Sequence, residues 1–153
     1  MKRILSLLLI FSLTVLCFTA CGGRHIVGFG KAEMNTTYDG VYITLDEVNQ
    51  SADSTRLSVT WHNETDEYIT FGLGYTIEYL DGEEWKDVQI RDFAIIEIAC
   101  QLNPHSEGQQ SYSTQYFNLS APGSYRIRTE FYVPEEDVGV QSTYATFEVK
   151  YYY

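Results

Sequence analysis

The chain has 153 residues, 44% of them hydrophobic, and carries 21 acidic against 10 basic side chains for a net charge of −11. Nucleic-acid binding needs clustered Lys and Arg to displace counterions, and a chain this acidic has no such cluster. Charge alone is equally unable to hold the protein on an anionic membrane, and the simplest reading of the acid excess is a soluble, well-hydrated surface.

Lys2 and Arg3 open the chain, and Ile4 to Phe18 then run apolar with only Ser6, Ser12 and Thr14 as uncharged interruptions. Charge followed by a greasy core is the order of a secretory signal. The run is shorter than the roughly 20 residues that a helix needs to cross a bilayer, which disfavours a permanent span. Phe18-Thr19-Ala20-Cys21 follows, and it resembles the bacterial lipobox, with Phe18 where Leu is usual. That resemblance implies cleavage after Ala20 and a diacylglyceryl group on Cys21. A single acyl chain holds a protein only marginally, whereas two hold it stably, so a diacylated cysteine would anchor the chain without a transmembrane helix. Loss of residues 1–20 would remove Lys2 and Arg3 and no acid, leaving eight basic residues and a net charge of −13.

Residues 21–40 contain five glycines and little periodicity, and read as the lipidated cysteine followed by a flexible tether that lends a short strand near its end. Residues 41–153 then read as one domain, large enough to bury a core without disulfide staples. From Val41 the pattern alternates with period two. Val41, Ile43 and Leu45 share one face; Leu57, Val59 and Trp61 share another, with Arg56, Ser58, Thr60 and His62 opposite. Tyr125, Ile127, Thr129, Phe131 and Val133 alternate with Arg126, Arg128, Glu130 and Tyr132, and Ala145, Phe147 and Val149 repeat the pattern. Each is a strand with one face buried and one wet. Asp81-Gly82 between two such runs predicts a type I′ hairpin centred on those two residues. Further breaks fall at Asn49 to Ser54, Asn63 to Glu67, Asn103 to Gly108 and Ala121 to Ser124. With no helical-period run after the signal, this spacing predicts an all-β antiparallel sandwich of two sheets.

Four segments, in order, resemble the bacterial immunoglobulin-like domains of Gram-positive cell-envelope lipoproteins: Leu57 to Asp66 ending in an Asn turn, Tyr79 to Trp85, Leu102-Asn103-Pro104, and Leu119 to Ile127 with its Pro122-Gly123-Ser124-Tyr125-Arg126 core. The resemblance covers about Val41 to Val149. It implies a sandwich in which Tyr125 serves either as a corner tyrosine, its hydroxyl bonding a backbone group in the preceding turn, or as a plain inward aromatic. Trp61 and Trp85 are expected in the core. The disulfide of antibody domains is missing, because Cys17 leaves with the signal and Cys100, in an apolar stretch, is expected to be a buried free thiol.

Catalytic spacings are absent from the sequence: there is no Gly-x-Ser-x-Gly, His-Glu-x-x-His, phosphate loop or Cys-x-x-Cys. His25, His62 and His105 are scattered, and a Cys100 and His105 nucleophile pair has no third member to support it. Glu64, Asp66 and Glu67 in one turn, and Glu135, Glu136 and Asp137 in another, are the carboxylates that calcium could use, although neither set follows a known calcium-loop spacing. Solvated turn charges are the simpler reading. Asn35-Thr36-Thr37, Asn63-Glu64-Thr65 and Asn118-Leu119-Ser120 match the N-glycan acceptor pattern, which in a bacterial lipoprotein is a chance match. Thirteen tyrosines are mostly strand residues, although tyrosine also supplies binding surfaces with contact area at low entropic cost. The sequence thus points to a non-catalytic protein without cofactor, held on the extracytoplasmic face of the cell membrane by lipid on Cys21 and presenting an immunoglobulin-like domain to an unknown protein or glycan. A regulatory or inhibitory lipoprotein acting on a neighbouring membrane protein is the first alternative, and a small extracytoplasmic enzyme the second.

Overall fold

The computed structural model describes residues 24–27, 36–50, 55–90 and 98–151. The signal, Cys21 and the stretch from Phe93 to Glu97 lie outside the described residues. Among the described residues there are nine strands: β1 (Arg24–Val27), β2 (Val41–Gln50), β3 (Thr55–Asn63), β4 (Ile69–Asp81), β5 (Glu84–Asp87), β6 (Ala99–Leu102), β7 (Ser106–Ser113), β8 (Gly123–Tyr132) and β9 (Gln141–Tyr151). All pairings are antiparallel, and no helix occurs among the described residues.

The strands form two sheets. Sheet A runs β1-β9-β8-β4-β5, with β6 also paired to β4, and sheet B runs β2-β3-β7. The period-two reading explains the core directly. Val41, Ile43, Leu57, Val59 and Trp61 from sheet B meet Ile77, Ile127, Phe131, Ala145, Phe147 and Val149 from sheet A, all of them buried. Trp61 spans the gap between the layers. Its ring stacks on Phe71 at 4.3 Å and meets Phe131 edge-on at 6.0 Å, so one side chain of sheet B fixes two of sheet A. Its indole N–H donates to the Tyr112 hydroxyl at 3.3 Å, which satisfies the one polar atom that burial would otherwise orphan.

The sandwich is closed at its edges by polar devices. The Ile43 amide on edge strand β2 donates to Thr143 Oγ1 of β9 at 3.2 Å, linking the two sheets through a backbone group that has no strand neighbour on that side. Tyr125 is buried at the start of β8 and donates its hydroxyl to the Ala121 carbonyl at 2.8 Å. Of the two roles open to it in the sequence, the structure selects the corner tyrosine.

Three expectations change. The hairpin exists, but Asp81 pairs with Glu84, so Gly82 and Glu83 are the two central residues. Gly82 has φ +66° and is the hairpin's sole positive-φ residue. Glycine at the first central position is the requirement of a type II′ turn, and it spares Asp81 the left-handed backbone that type I′ demands. Trp85 is half-exposed on β5 rather than in the core, because pairing with Leu80 carries it onto the outward face of sheet A. Finally, residues 21–40 contain a strand near the start of that stretch, where β1 pairs Arg24 with Tyr151 and Val27 with Glu148, while near its end Thr36 makes an isolated antiparallel bridge to Thr143.

Candidate functional site

The outward face of sheet A gathers residues that an ordinary wet face does not hold. Glu78 of β4 is only 5% exposed although its side chain points away from the core. An isolated carboxylate cannot be buried cheaply, and two arginines from β8 resolve this. Arg126 donates Nε–H to Glu78 Oε2, and Arg128 donates to Oε1 at 3.0 Å. The register that sets Glu78 beside Arg126 and Thr76 beside Arg128 places all these groups on one side of the sheet. The Arg126 guanidinium is also held between two rings, 4.4 Å from Trp85 and 4.2 Å from Tyr144. Cation–π contact of this kind adds attraction without adding hydrogen-bond capacity, so Arg126 is fixed rather than available.

Next to this cluster the β4–β8 ladder is interrupted. Phe71 faces Phe131 and Tyr75 faces Thr129, so Gly72, Leu73 and Gly74 stand opposite Glu130 alone. On the β8 side the extra residues have no register partner of their own, although Gly72 pairs with Ala99 of β6 on the other side, and a hollow of about 650 Å³ opens at this irregularity. Phe71 and Phe131 lie at its base, Arg128, Glu130 and Tyr132 flank it from β8, and Ile98 and Val140 complete its rim. Its lining is mainly apolar, with a small number of polar groups, which is the usual character of a binding recess. Thr76 Oγ1 is enclosed there and has no hydrogen-bond partner. Ile98, Tyr132 and Val140 are 48%, 46% and 69% exposed, and Val138 lies close by in sequence at 39%, so four large apolar side chains crowd this end of the domain. Singly exposed apolar residues are normal; a group of them beside a recess marks an interaction surface.

The acid turns are engaged elsewhere. Glu64 accepts from the Tyr42 hydroxyl at 2.8 Å, Asp66 meets His105 Nε2 at 2.9 Å, and Glu135 accepts from Tyr68 at 3.4 Å. The Glu67 carbonyl receives the Asn63 amide, while the Glu136 amide donates to the Val133 carbonyl, and Asp137 follows in the same exposed turn. The hydroxyl of Tyr38 is held above its ordinary pKa by burial, by a hydrogen bond to Glu136 and by the charges of Glu136 and Glu67; that of Tyr42 is raised first by its bond to Glu64. Among the described residues no group of three or more His, Cys, Asp or Glu side chains is arranged to hold a metal ion. Cys100 is a half-buried free thiol packed against the core from β6, while the His105 ring turns to Asp66. The residues of the hollow were not singled out by the sequence; two isolated glycines inside a strand, Gly72 and Gly74, were the available signal of a bulge.

The frame in which this hollow sits is sheet β2-β3-β7 packed on sheet β9-β8-β4, closed by a corner tyrosine. The sequence profile of the bacterial Ig-like domain matches residues 37–148. The chain belongs to that family. Among curated proteins no sequence matches the chain. In this Ig-like domain the match begins just before β2, so β1 is an addition along β9 outside the matched residues.

Proposed function

We propose that this chain is a non-catalytic envelope lipoprotein, anchored by diacylglycerol on Cys21 at the extracytoplasmic face of the membrane, whose Ig-like domain binds a protein or glycan through the hollow beside the β4 bulge. The observation that carries the binding role is the coincidence of a recess, an enclosed Thr76 hydroxyl without a partner, and a rim of exposed apolar side chains at one end of the sandwich. The ionisable groups nearby support a binding rather than a catalytic reading. Glu78, Arg126 and Arg128 are committed to one another as an ion-paired cluster.

Photo-crosslinking in intact cells tests this. A benzophenone amino acid at Val140 is expected to capture a partner that one at Gln109, exposed on β7 of sheet B, does not. Ala99→Trp, which fills the hollow from an exposed position, is expected to abolish the capture. Equal capture from both positions, unaffected by Ala99→Trp, would refute the site. Cys21→Ser is expected to release the chain from the membrane fraction or leave it unprocessed; unchanged mass and membrane association would refute the anchor.

A further inference from the structure

The lipid anchor and the strand order together fix how the domain stands. Only Gly22 and Gly23 separate Cys21 from Arg24, the first residue of β1. Three residue steps span at most about 11 Å even when fully extended. The long glycine-bearing stretch is therefore no tether between lipid and domain, because it lies after β1, which is already paired along β9.

Resting on the lipid anchor at Cys21, we propose that the bilayer surface is a direct neighbour of this domain: the end bearing Arg24 and Tyr151 sits at the headgroups, and the hollow points away from the membrane. The register gives the direction. β1 enters beside Tyr151 and runs antiparallel to β9, whose other end pairs Gln141 with Phe131, next to the hollow. Ten residue steps of β9 separate the two ends, a height of about 33 Å. The apolar rim of Ile98, Tyr132 and Val140 therefore faces a partner approaching from outside or standing tall beside the anchor, not the lipid.

Charge sets the lean. At the anchored end, the β1–β9 corner holds Arg24 and, paired to His25, Lys150, which is shared with Glu148. The opposite corner of the same end is the β4–β5 hairpin, where Lys86 pairs with Asp81 and leaves the charges of Glu83 and Glu84, four strand spacings or about 19 Å across the sheet. Anionic headgroups attract the first corner and repel the second, so the sheet rests on its β1 edge with the hairpin lifted.

The test uses the full lipoprotein, purified with its lipid and reconstituted in phosphatidylcholine–phosphatidylglycerol vesicles that carry a rhodamine acceptor lipid. In a Cys100→Ala background, a donor dye is placed at Ala121→Cys, in the exposed turn before β8 at the anchored end, or at Val140→Cys at the other end. Energy transfer from position 121 is expected to exceed clearly that from position 140. Insertion of about 20 Gly-Ser residues between Gly23 and Arg24 restores a reach of about 25 Å and is expected to erase the difference. Equal transfer from both positions in a chain whose mass shows the lipid on Cys21 would overturn the mounting alone. A chain without lipid at Cys21 would overturn the anchor and the mounting with it.

Discussion

Sheet B turns Tyr42, Thr44, Thr60 and His62 outward as a polar row bonded along and across its strands: Tyr42 stacks on His62 at 4.5 Å, His62 meets Thr44 at 2.9 Å and Glu107 at 3.0 Å, and Thr60 donates to Asp46 at 2.6 Å. Sheet A turns outward a buried carboxylate, two arginines that neutralise it and a hollow cut by a bulge. Both faces carry polar networks among the described residues, and the hollow with its apolar rim lies on sheet A. A wet face that satisfies itself residue by residue needs nothing more, whereas a face that buries charge and interrupts its own ladder has stored structure that a partner can use. The difference predicts unequal consequences for similar substitutions.

The largest effect is expected at Glu78. Glu78→Ala leaves Arg126 and Arg128 without their counter-charge in a partly desolvated site, and a loss of about 3 kcal/mol is expected in urea unfolding. If the loss were no greater than that of a surface acid, the outward face of sheet A would be energetically the same as that of sheet B. The alkaline limb of stability comes next, and it belongs to the shared interior. Burial pushes the hydroxyls of Tyr75 and Tyr112 up to about 12 from the ordinary 10. Their neutral forms are thus favoured in the folded state, so their contribution is complete below pH 10 and is lost as pH rises from 10 towards 12, where the unfolded chain ionises first. For Tyr112, the more deeply buried of the two, a rise of this size corresponds to about 3 kcal/mol, with a smaller share from the half-buried Tyr75, and Tyr112→Phe is expected to flatten the fall measured between pH 10 and 12.

Smaller effects separate the faces further. Asp46→Ala on sheet B removes one acceptor from an exposed network, and Tyr125→Phe removes the corner bond to Ala121; each is expected to cost about 1 kcal/mol by thermal or urea unfolding. Smallest of all is Val140→Lys at the rim of the hollow, expected within about 0.5 kcal/mol of the parent in stability. With the benzophenone moved to Ile98 on the same rim, this substitution is expected to abolish partner capture, the signature of a residue that serves binding rather than folding.

What could be read in advance follows from locality. The strands from Val41, Leu57, Tyr125 and Thr143 were legible because alternation is a property of neighbouring residues, and the corner role of Tyr125 was one of two that its turn allowed. The hairpin was legible in place but not in register, since one residue decides which pair occupies the turn and the side-chain pattern alone tolerates either. Trp85 falls opposite an outward residue of β4 in either register, Glu78 or Leu80, so its place over Arg126 follows from the parity of the hairpin and not from that single step. β1 was hidden for a different reason: four residues, Arg24–Val27, carry too short a pattern, and their partner strand lies at the far end of the chain. The hollow depends on Phe71 and Tyr75 choosing Phe131 and Thr129 as partners, a pairing that no local window contains. Lipidation of Cys21 is an expectation that rests on the lipobox resemblance alone, and the residue lies outside the described residues.

Asn63 closes the turn after β3. It is only 1% exposed, its amide donates to the carbonyls of Glu67 and Asn103 at 2.8 and 2.9 Å, and its oxygen receives the Thr65 hydroxyl at 2.7 Å. This same residue begins an Asn-Glu-Thr acceptor triplet. In a eukaryotic secretory host a glycan could be added only while the chain is still open, and an oligosaccharide on that nitrogen would then bar the turn from ever closing. Heterologous secretion would thus divide the product into sugar-free folded molecules and glycosylated molecules that never mature, a partition that Asn63→Asp cannot cure because it removes the donor the turn is built on.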